Sequence, residues 1–554
     1  MAHDDTRQEP GPTLDPETLD PSTESVEIPY QRRMRSPGAP LSSEAPAAPR
    51  PAEARARKGG LSADGRLRTG KLAGLSMNRA IWVLSWPILI ESLLNSMVGL
   101  TDTVLAAGLE DGAAATDAIG GASYITWFIG LIIMAIGIGA TALISRSVGG
   151  GRQAVANAVV GQTMILGVGA GVVTGLAIWL SAPSIADVLN MGEVASAQFV
   201  EYLRVLSWSV PFMGILFGGT ACARGAGDSK RPLVIMVIVN GVNMFASWVL
   251  AGVDLTSTHP VNGELVTRTL VANPFGFDMG VQGIALGTLL ANIVGAMIMV
   301  LVLVRGSSGV ALRRRRLVPH WHTIRRLVRI GLPNFVETLG LWVGNFIIIL
   351  MVGWLTATAG GGLLGVHVVA IRIEAFSFLP GFAMGMAAAT LAGQFLGAGS
   401  APLAKRAVWR CVLMAIMVMG GFGMLFVAIP AQIVGLFTPQ PVHLALAPGL
   451  IMIAGFVQVP FAIAIVTRSA MRGAGDVRVV LILTWVTTYL VRLPLAYALS
   501  GVDIPLGAGR VLANPFGFEP SLWGLWLGLC IEMAFRGVLF LARFLHGGWT
   551  RIKV

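Results

Sequence analysis

Beyond its N-terminal segment, the chain alternates long apolar runs with short polar interruptions. From about Trp82 to Leu545 the runs recur near the ~20 residues that a helix needs to cross a bilayer, with few charges inside them. They predict twelve membrane-spanning helices, near residues 80–106, 118–144, 155–181, 199–222, 232–252, 280–304, 331–355, 363–392, 405–430, 446–470, 477–500 and 521–545. Asn262-Gly263, flanked by short β-prone runs, predicts a hairpin between spans five and six.

The pattern occurs twice. Arg224-Gly225-Ala226-Gly227-Asp228 returns as Arg472-Gly473-Ala474-Gly475-Asp476, and Gly252-Val253-Asp254 as Gly501-Val502-Asp503. Ala272-Asn273-Pro274-Phe275-Gly276-Phe277 returns as Ala513-Asn514-Pro515-Phe516-Gly517-Phe518. Pro87 with Glu91 four residues on is matched by Pro333 with Glu337. The echoes keep one order and nearly one spacing, so the chain duplicates a unit of roughly 250 residues. Duplicated hydrophobic halves with a site between them are a transporter signature. The expected fold is an all-α polytopic membrane protein of two pseudo-symmetric six-helix bundles.

Composition agrees: 54% of residues are hydrophobic and 12% charged, against about 25% charged in soluble domains. The net charge of +11 does not point to nucleic acid, because the bases lie in loops between spans. Arg146 and Arg152, Arg224 to Arg231, Arg313 to Arg329, Lys405 to Arg410, and Arg472 with Arg478 all fall in even-numbered loops. The positive-inside rule then makes both termini and every even loop cytoplasmic. Because six is even, both halves enter from one side, related by an axis along the membrane normal. The expected division is a tail over 1–76, bundles over 77–304 and 331–546, a basic linker over 305–330, and a short cytoplasmic tail over 547–554. Residues 1–76, rich in Pro, Ala, Glu and Arg, read as disordered, with no apolar h-region of a signal peptide. Cys222, Cys411 and Cys530 lie in apolar runs without metal-ligand spacing and read as packing residues; no cofactor or metal is expected.

After the tail, the chain resembles the multidrug and toxic compound extrusion (MATE) transporters of the MOP flippase superfamily. Span one carries Trp86-Pro87, Glu91, Asn95 and then Gly99-Leu100-Thr101-Asp102-Thr103-Val104, similar to the family's "VDT"-type opening with Thr101 replacing valine. Span eight, with Arg372-Ile373-Glu374, Ser377-Phe378-Leu379-Pro380-Gly381 and Gly393-Gln394-Phe395-Leu396-Gly397-Ala398, resembles a second family segment, and both RGAGD loops match a third. The resemblance implies two bundles forming a V around a central cavity. It also implies export of organic cations and other amphiphilic drugs in exchange for protons or sodium ions.

Ionisable groups inside a bilayer are costly and face a cavity or a partner. Asp102 matches the acid that the family uses for cation coupling; burial penalises its charged form, so it can take up an ion, or it is a hydrated residue near a helix end. Glu91 and Glu337, each four residues after a proline, are cavity-wall coupling acids or structural pairs. Glu374 is open as a contact for the ion or a cationic substrate. Arg372 and Arg492 read as a structural charge network, and Glu532 with Arg536 as an ion pair along one helix face. Tyr124, Trp127, Asn240, Asn243, Phe376, Phe378, Met384 and Gln458 are candidate cavity residues, with ordinary packing or interhelical bonding as the alternative. Arg224, Asp228, Arg472 and Asp476 are expected to form tight turns or latches at the inner gate, and His367 to be a packed histidine. Span ten lacks the acid that some family members carry.

The leading expectation is a multi-pass, plasma-membrane antiporter for multidrug efflux, acting as a monomer among lipids on small organic, often cationic, substrates such as amphiphilic or cationic drugs and toxic metabolites. A flippase for a lipid-linked precursor is the alternative and would favour a strongly basic cavity. A lipid-modifying membrane enzyme is the remote one: the seven histidines are scattered and no GxSxG or HExxH context occurs.

Overall fold

Where no water is at hand, a spanning segment must satisfy its own backbone, and each apolar run folds as a helix. The structure, a computed structural model, describes residues 60–261, 264–507 and 510–552. The first half contains α1 (Met77–Ala107), α2 (Gly112–Gly149), α3 (Gln153–Leu189), α4 (Glu193–Gly225), α5 (Lys230–Ala251) and α6 (Gly280–Val304). A linker with one 3-10 turn (Arg314–Arg316) leads to α7 (Trp321–Ala359), α8 (Leu363–Gly397), α9 (Ala401–Ala428) and the short α10 (Pro430–Phe437). Span ten is broken, with α11 (Pro441–Phe456) and α12 (Gln458–Ala474) meeting at 58°. Span eleven comprises α13 (Val477–Trp485), a π-helical turn (Val486–Arg492) and α14 (Leu493–Ser500), and α15 (Leu522–His546) is span twelve. Among the described residues eleven helices are long and apolar enough to cross a membrane, and the bent pair makes the twelfth.

The repeated motifs are repeated contacts. The Asp254 carboxylate accepts from the Asn273 backbone N–H at 2.7 Å, and Asp503 does the same for Asn514 at 2.7 Å. Each asparagine also accepts from the N–H two residues on, Phe275 at 3.1 Å and Phe516 at 3.0 Å, an Asx turn. These turns follow two hairpins, β1 (Leu255–Val261) with β2 (Glu264–Val271) and the shorter β3 (Ile504–Gly507) with β4 (Arg510–Leu512), both antiparallel. The expected turn residues Asn262-Gly263 lie outside the described residues. The RGAGD turns place Gly227 at φ 93° and Gly475 at φ 89°, a left-handed conformation that glycine adopts without a Cβ penalty. The three cysteines are free and buried.

Apolar clusters fill each half and two of them run across the boundary, with Ala80, Ile81 and Leu84 of α1 in a second-half cluster and Leu327, Ile330 and Val477 in a first-half one; α2 packs on α7 and α8 while α1 packs on α8. The halves approach most closely at the face carrying the basic loops. A Cβ at Gly149 would strike the Gln394 backbone, and one at Gly397 the Arg146 backbone.

The expected disordered tail requires a correction. Residues 1–59 lie outside the described residues, but 60–76 are folded onto the basic face. Leu67 and Leu72 are buried in the second half's core cluster with Ala404, Ala407 and Phe544. Thr69 Oγ1 donates to the Val148 carbonyl of the first half at 2.6 Å. Gly60 packs against Gly149 and Gly65 against Leu403, so the segment touches both halves. Trp549 of the C-terminal stub is also fully buried, stacked on Phe544.

Leu72→Ala should cost about 2–5 kcal/mol, the usual range for a buried leucine, read as a lowered Tm of detergent-solubilised protein. Ala73→Ser, one residue on and exposed, should leave Tm unchanged.

Candidate functional site: a charged cavity between the halves

A cavity of about 400 Å3 lies between the halves, lined by α1, α2 and α4 from one and α8 and α12 from the other. Phe217, Met134, Phe382 and Met386 give it apolar walls, and Glu91, Arg224 and Arg472 give it charge. Glu91 and Arg224 form a salt bridge. In the other half, Arg472 holds Glu337 through two bonds, Nη2 to Oε1 at 2.7 Å and Nε to Oε2 at 3.1 Å. Thr484 Oγ1 donates to Glu337 Oε1 at 2.9 Å, and Arg468 Nη1 stands 3.9 Å away. In each half the glutamate after the proline therefore pairs with the arginine of RGAGD.

Below the cavity the halves are latched reciprocally. Gln394 Nε2 donates to the Gly225 carbonyl at 3.1 Å, and Thr390 Oγ1 to the Arg224 carbonyl at 3.2 Å. In return Arg146 Nη2 donates to the Ala474 carbonyl at 2.9 Å, and its Nη1 to the Ile552 carbonyl at 2.6 Å. Each RGAGD turn is thus held by the end of the other half's second span. The motif aspartates serve their own halves: Asp228 pairs with Arg231 at 2.6 Å and Asp476 with Arg543 at 2.7 Å.

A second network fills the second half. Glu532, fully buried, accepts from Arg536 Nε at 2.7 Å and Arg492 Nε at 3.0 Å. Arg492 also donates to Asn345 at 2.8 Å and Arg536 to Thr488 at 3.0 Å. The π-helical turn ends at Arg492, and Glu374 lies within range of that charge. Arg372 is exposed.

The first half contains a smaller polar cluster. Asp102 is buried near the end of α1, within electrostatic range of Tyr202, and its Oδ1 has no hydrogen-bond partner. Asn243 Nδ2 donates to Thr288 Oγ1 at 3.0 Å, while Asn243 Oδ1 and Asn240 Nδ2 are buried without partners. Helices α1 and α5 pack together, so three polar side chains with orphaned atoms share one bundle interior.

None of the eight cavity residues expected from sequence is among the residues lining this cavity. Asn240 and Asn243 belong to the Asp102 bundle, and Met384 to the second half's core. Gln458 starts α12 at the break in span ten, accepting from Ser377 Oγ at 3.0 Å. Phe378 packs on Phe461, Phe376 on Phe437 and Trp127 on Trp342, while Tyr124 is exposed. Of the four expected coupling acids only Glu91 reaches the cavity. Arg224 and Arg472, read as inner-loop residues, line it. Their pairing was available from the repeat: a Pro-x3-Glu and an RGAGD motif duplicated together mark partners. His367 is buried and accepts from Trp526 Nε1 at 3.0 Å.

Two repeated six-span halves around an interfacial cavity, closed at one face, define a membrane transporter. The MatE family profile matches residues 87–249 and 333–498, one block in each half, and the chain belongs to that family of transporters. It is similar to the probable multidrug resistance protein NorM of Thermotoga maritima, 26% identical over 474 residues covering 85% of this chain and 93% of that protein. Multidrug resistance protein PmpM of Pseudomonas aeruginosa is 23% identical over 471 residues, covering 84% of this chain and 90% of that protein. Among solved structures, MATE in the straight conformation superposes with a TM-score of 0.71 at 22% identity, covering 85% of this chain and 97% of that one. An outward-facing MATE family transporter of the MOP superfamily gives 0.72 at 20% identity, covering 85% and 97%. These likenesses carry the fold.

Glu532→Gln should leave two buried guanidiniums without their carboxylate. Breaking one side of a buried ion pair costs about 3–5 kcal/mol, so the variant should lose most of its thermal stability in detergent. An unchanged Tm would overturn the structural role of this network.

Proposed function

We propose that this chain is a secondary active efflux transporter of the plasma membrane. It exports amphiphilic drugs or toxic metabolites in exchange for protons or sodium ions, by alternating access of the cavity between its halves. The multidrug resistance names of its relatives support the efflux reading. The positive-inside rule supports a cytoplasmic basic face, which makes the latched end the inner gate.

The coupling proposal is carried by Asp102, buried with an orphaned oxygen. Glu91 and Glu337 each hold an arginine, and Glu374 faces the charge of Arg492. An ion entering at Asp102 removes a desolvation cost without displacing a resident guanidinium. Asn240 and Asn243 are its proposed neighbours in that step. A second reading, translocation of a lipid-linked precursor, is favoured by one observation: two arginines line the cavity.

In proteoliposomes, wild-type protein should drive dye efflux under an imposed proton or sodium gradient, and the effective gradient names the ion. Asp102→Asn should reduce gradient-driven efflux to the level of protein-free vesicles. Full activity in that variant would move coupling to Glu337 or Glu374.

A further inference from the structure

We propose that the interfacial cavity selects amphiphiles carrying an anionic head group, a carboxylate or phosphate on an apolar body, over organic cations of the same size. The proposal deepens the transporter reading above and rests on it.

Charge at the cavity is not balanced. Among the described lining residues two guanidiniums, Arg224 and Arg472, stand against one carboxylate, Glu91; Arg472 is held from behind by Glu337, with Arg468, which does not line the cavity, 3.9 Å from that same carboxylate. Arg472 and Arg468 thus share one carboxylate. Glu337 is fully buried behind Arg472, so Glu91 is the one acid among the described lining residues. Glu91 itself is committed to Arg224.

Donor count points the same way. A guanidinium offers five N–H donors. Arg224 gives one bond to Glu91 through Nη2, and its Nε is buried without a partner. Arg472, which lines the cavity, uses Nε and Nη2 on Glu337 and keeps the Nη1 donors outside that pair. A carboxylate or phosphate satisfies such forks in bidentate fashion. An organic cation instead meets a carboxylate already shared with Arg224 and must sit close to that guanidinium, a like-charge approach.

The rest of the cavity suits the body of such a molecule. Phe217, Phe382, Met134 and Met386 surround it with aromatic and adaptable apolar surface. A volume of about 400 Å3 falls within the range for drug-sized ligands. The head group can belong to a soluble organic anion or to a phosphate-bearing lipid; both present the same chemistry to the arginines.

The test is equilibrium binding to the full chain in nanodiscs. The probes are one apolar fluorophore bearing either a carboxylate or a quaternary ammonium, with a short-chain lipid phosphate as competitor. The carboxylate probe should bind roughly tenfold tighter than the ammonium probe. Glu91→Gln, which frees Arg224, should tighten carboxylate binding, and Arg224→Gln should weaken it by about tenfold. Arg224→Lys, which keeps the charge but loses the fork, should fall between and serves where the glutamine variant does not fold. Displacement by the lipid phosphate assigns a lipid source; carboxylate binding untouched by it assigns a soluble anion. Tighter binding of the ammonium probe, or equal weakening by Glu91→Gln and Arg224→Gln, overturns the proposal and leaves the pair merely structural. The same probes are then followed in proteoliposomes. Export of the ammonium probe alone sinks this inference and spares the exporter reading, whereas export of neither under any gradient sinks both.

Discussion

A charge inside a bilayer has no solvent to fall back on, so every buried acid in this chain must find a base or stay neutral. That constraint decides much of the packing. Glu91 ties α1 to α4, Glu337 ties α7 to α12, and Glu532 ties α15 to the π-helical turn of span eleven. Apolar surface alone cannot fix the rotation of one membrane helix against another, since lipid is as apolar as leucine. Ion pairs can, because a partner turned away leaves a buried charge at a cost of about 3–5 kcal/mol.

Duplication explains how the constraint was met twice. The acid and the RGAGD arginine recur together because each needs the other within its own half. The aspartate of Gly-Val-Asp and the asparagine of Ala-Asn-Pro-Phe-Gly-Phe recur together for the same reason. Joining the halves required contacts that no single copy could contain. The reciprocal latch supplies them, with Gln394 on one turn and Arg146 on the other. The two side chains differ although the repeats are similar, so the latch is symmetric in place but not in chemistry.

The spans were legible because length and apolarity are the membrane's own criteria. Helix ends were less so: α2 runs to Gly149 and α4 to Gly225, past the apolar runs, because these ends are buried against the other half rather than exposed to water. The cavity was not legible. Lipid, bundle core and cavity all accept the same side chains, and only helix rotation separates them. Met384 enters the core while Met386 lines the cavity, and Phe378 packs on Phe461 while Phe382 faces inward. The segment over 60–76 was hidden for a different reason. Its composition cannot support a core of its own, but Leu67 and Leu72 borrow one from the second half.

The two halves share a fold but not an electrostatic state. In the second half Glu337 and Glu532 are each held by at least one arginine at bonding distance, and Glu374 stands in the field of Arg492. In the first half Glu91 is paired, while Asp102 keeps an orphaned oxygen, and Asn240 and Asn243 on the neighbouring α5 also have buried atoms without partners. Neutralising a paired acid releases a guanidinium into an apolar interior, whereas neutralising Asp102 releases nothing. The coupling proposed at Asp102 follows from this difference: an ion taken up there would dismantle no resident network. Because α1 also carries Glu91 into the cavity, one helix joins the unpaired acid to the charged wall of the cavity.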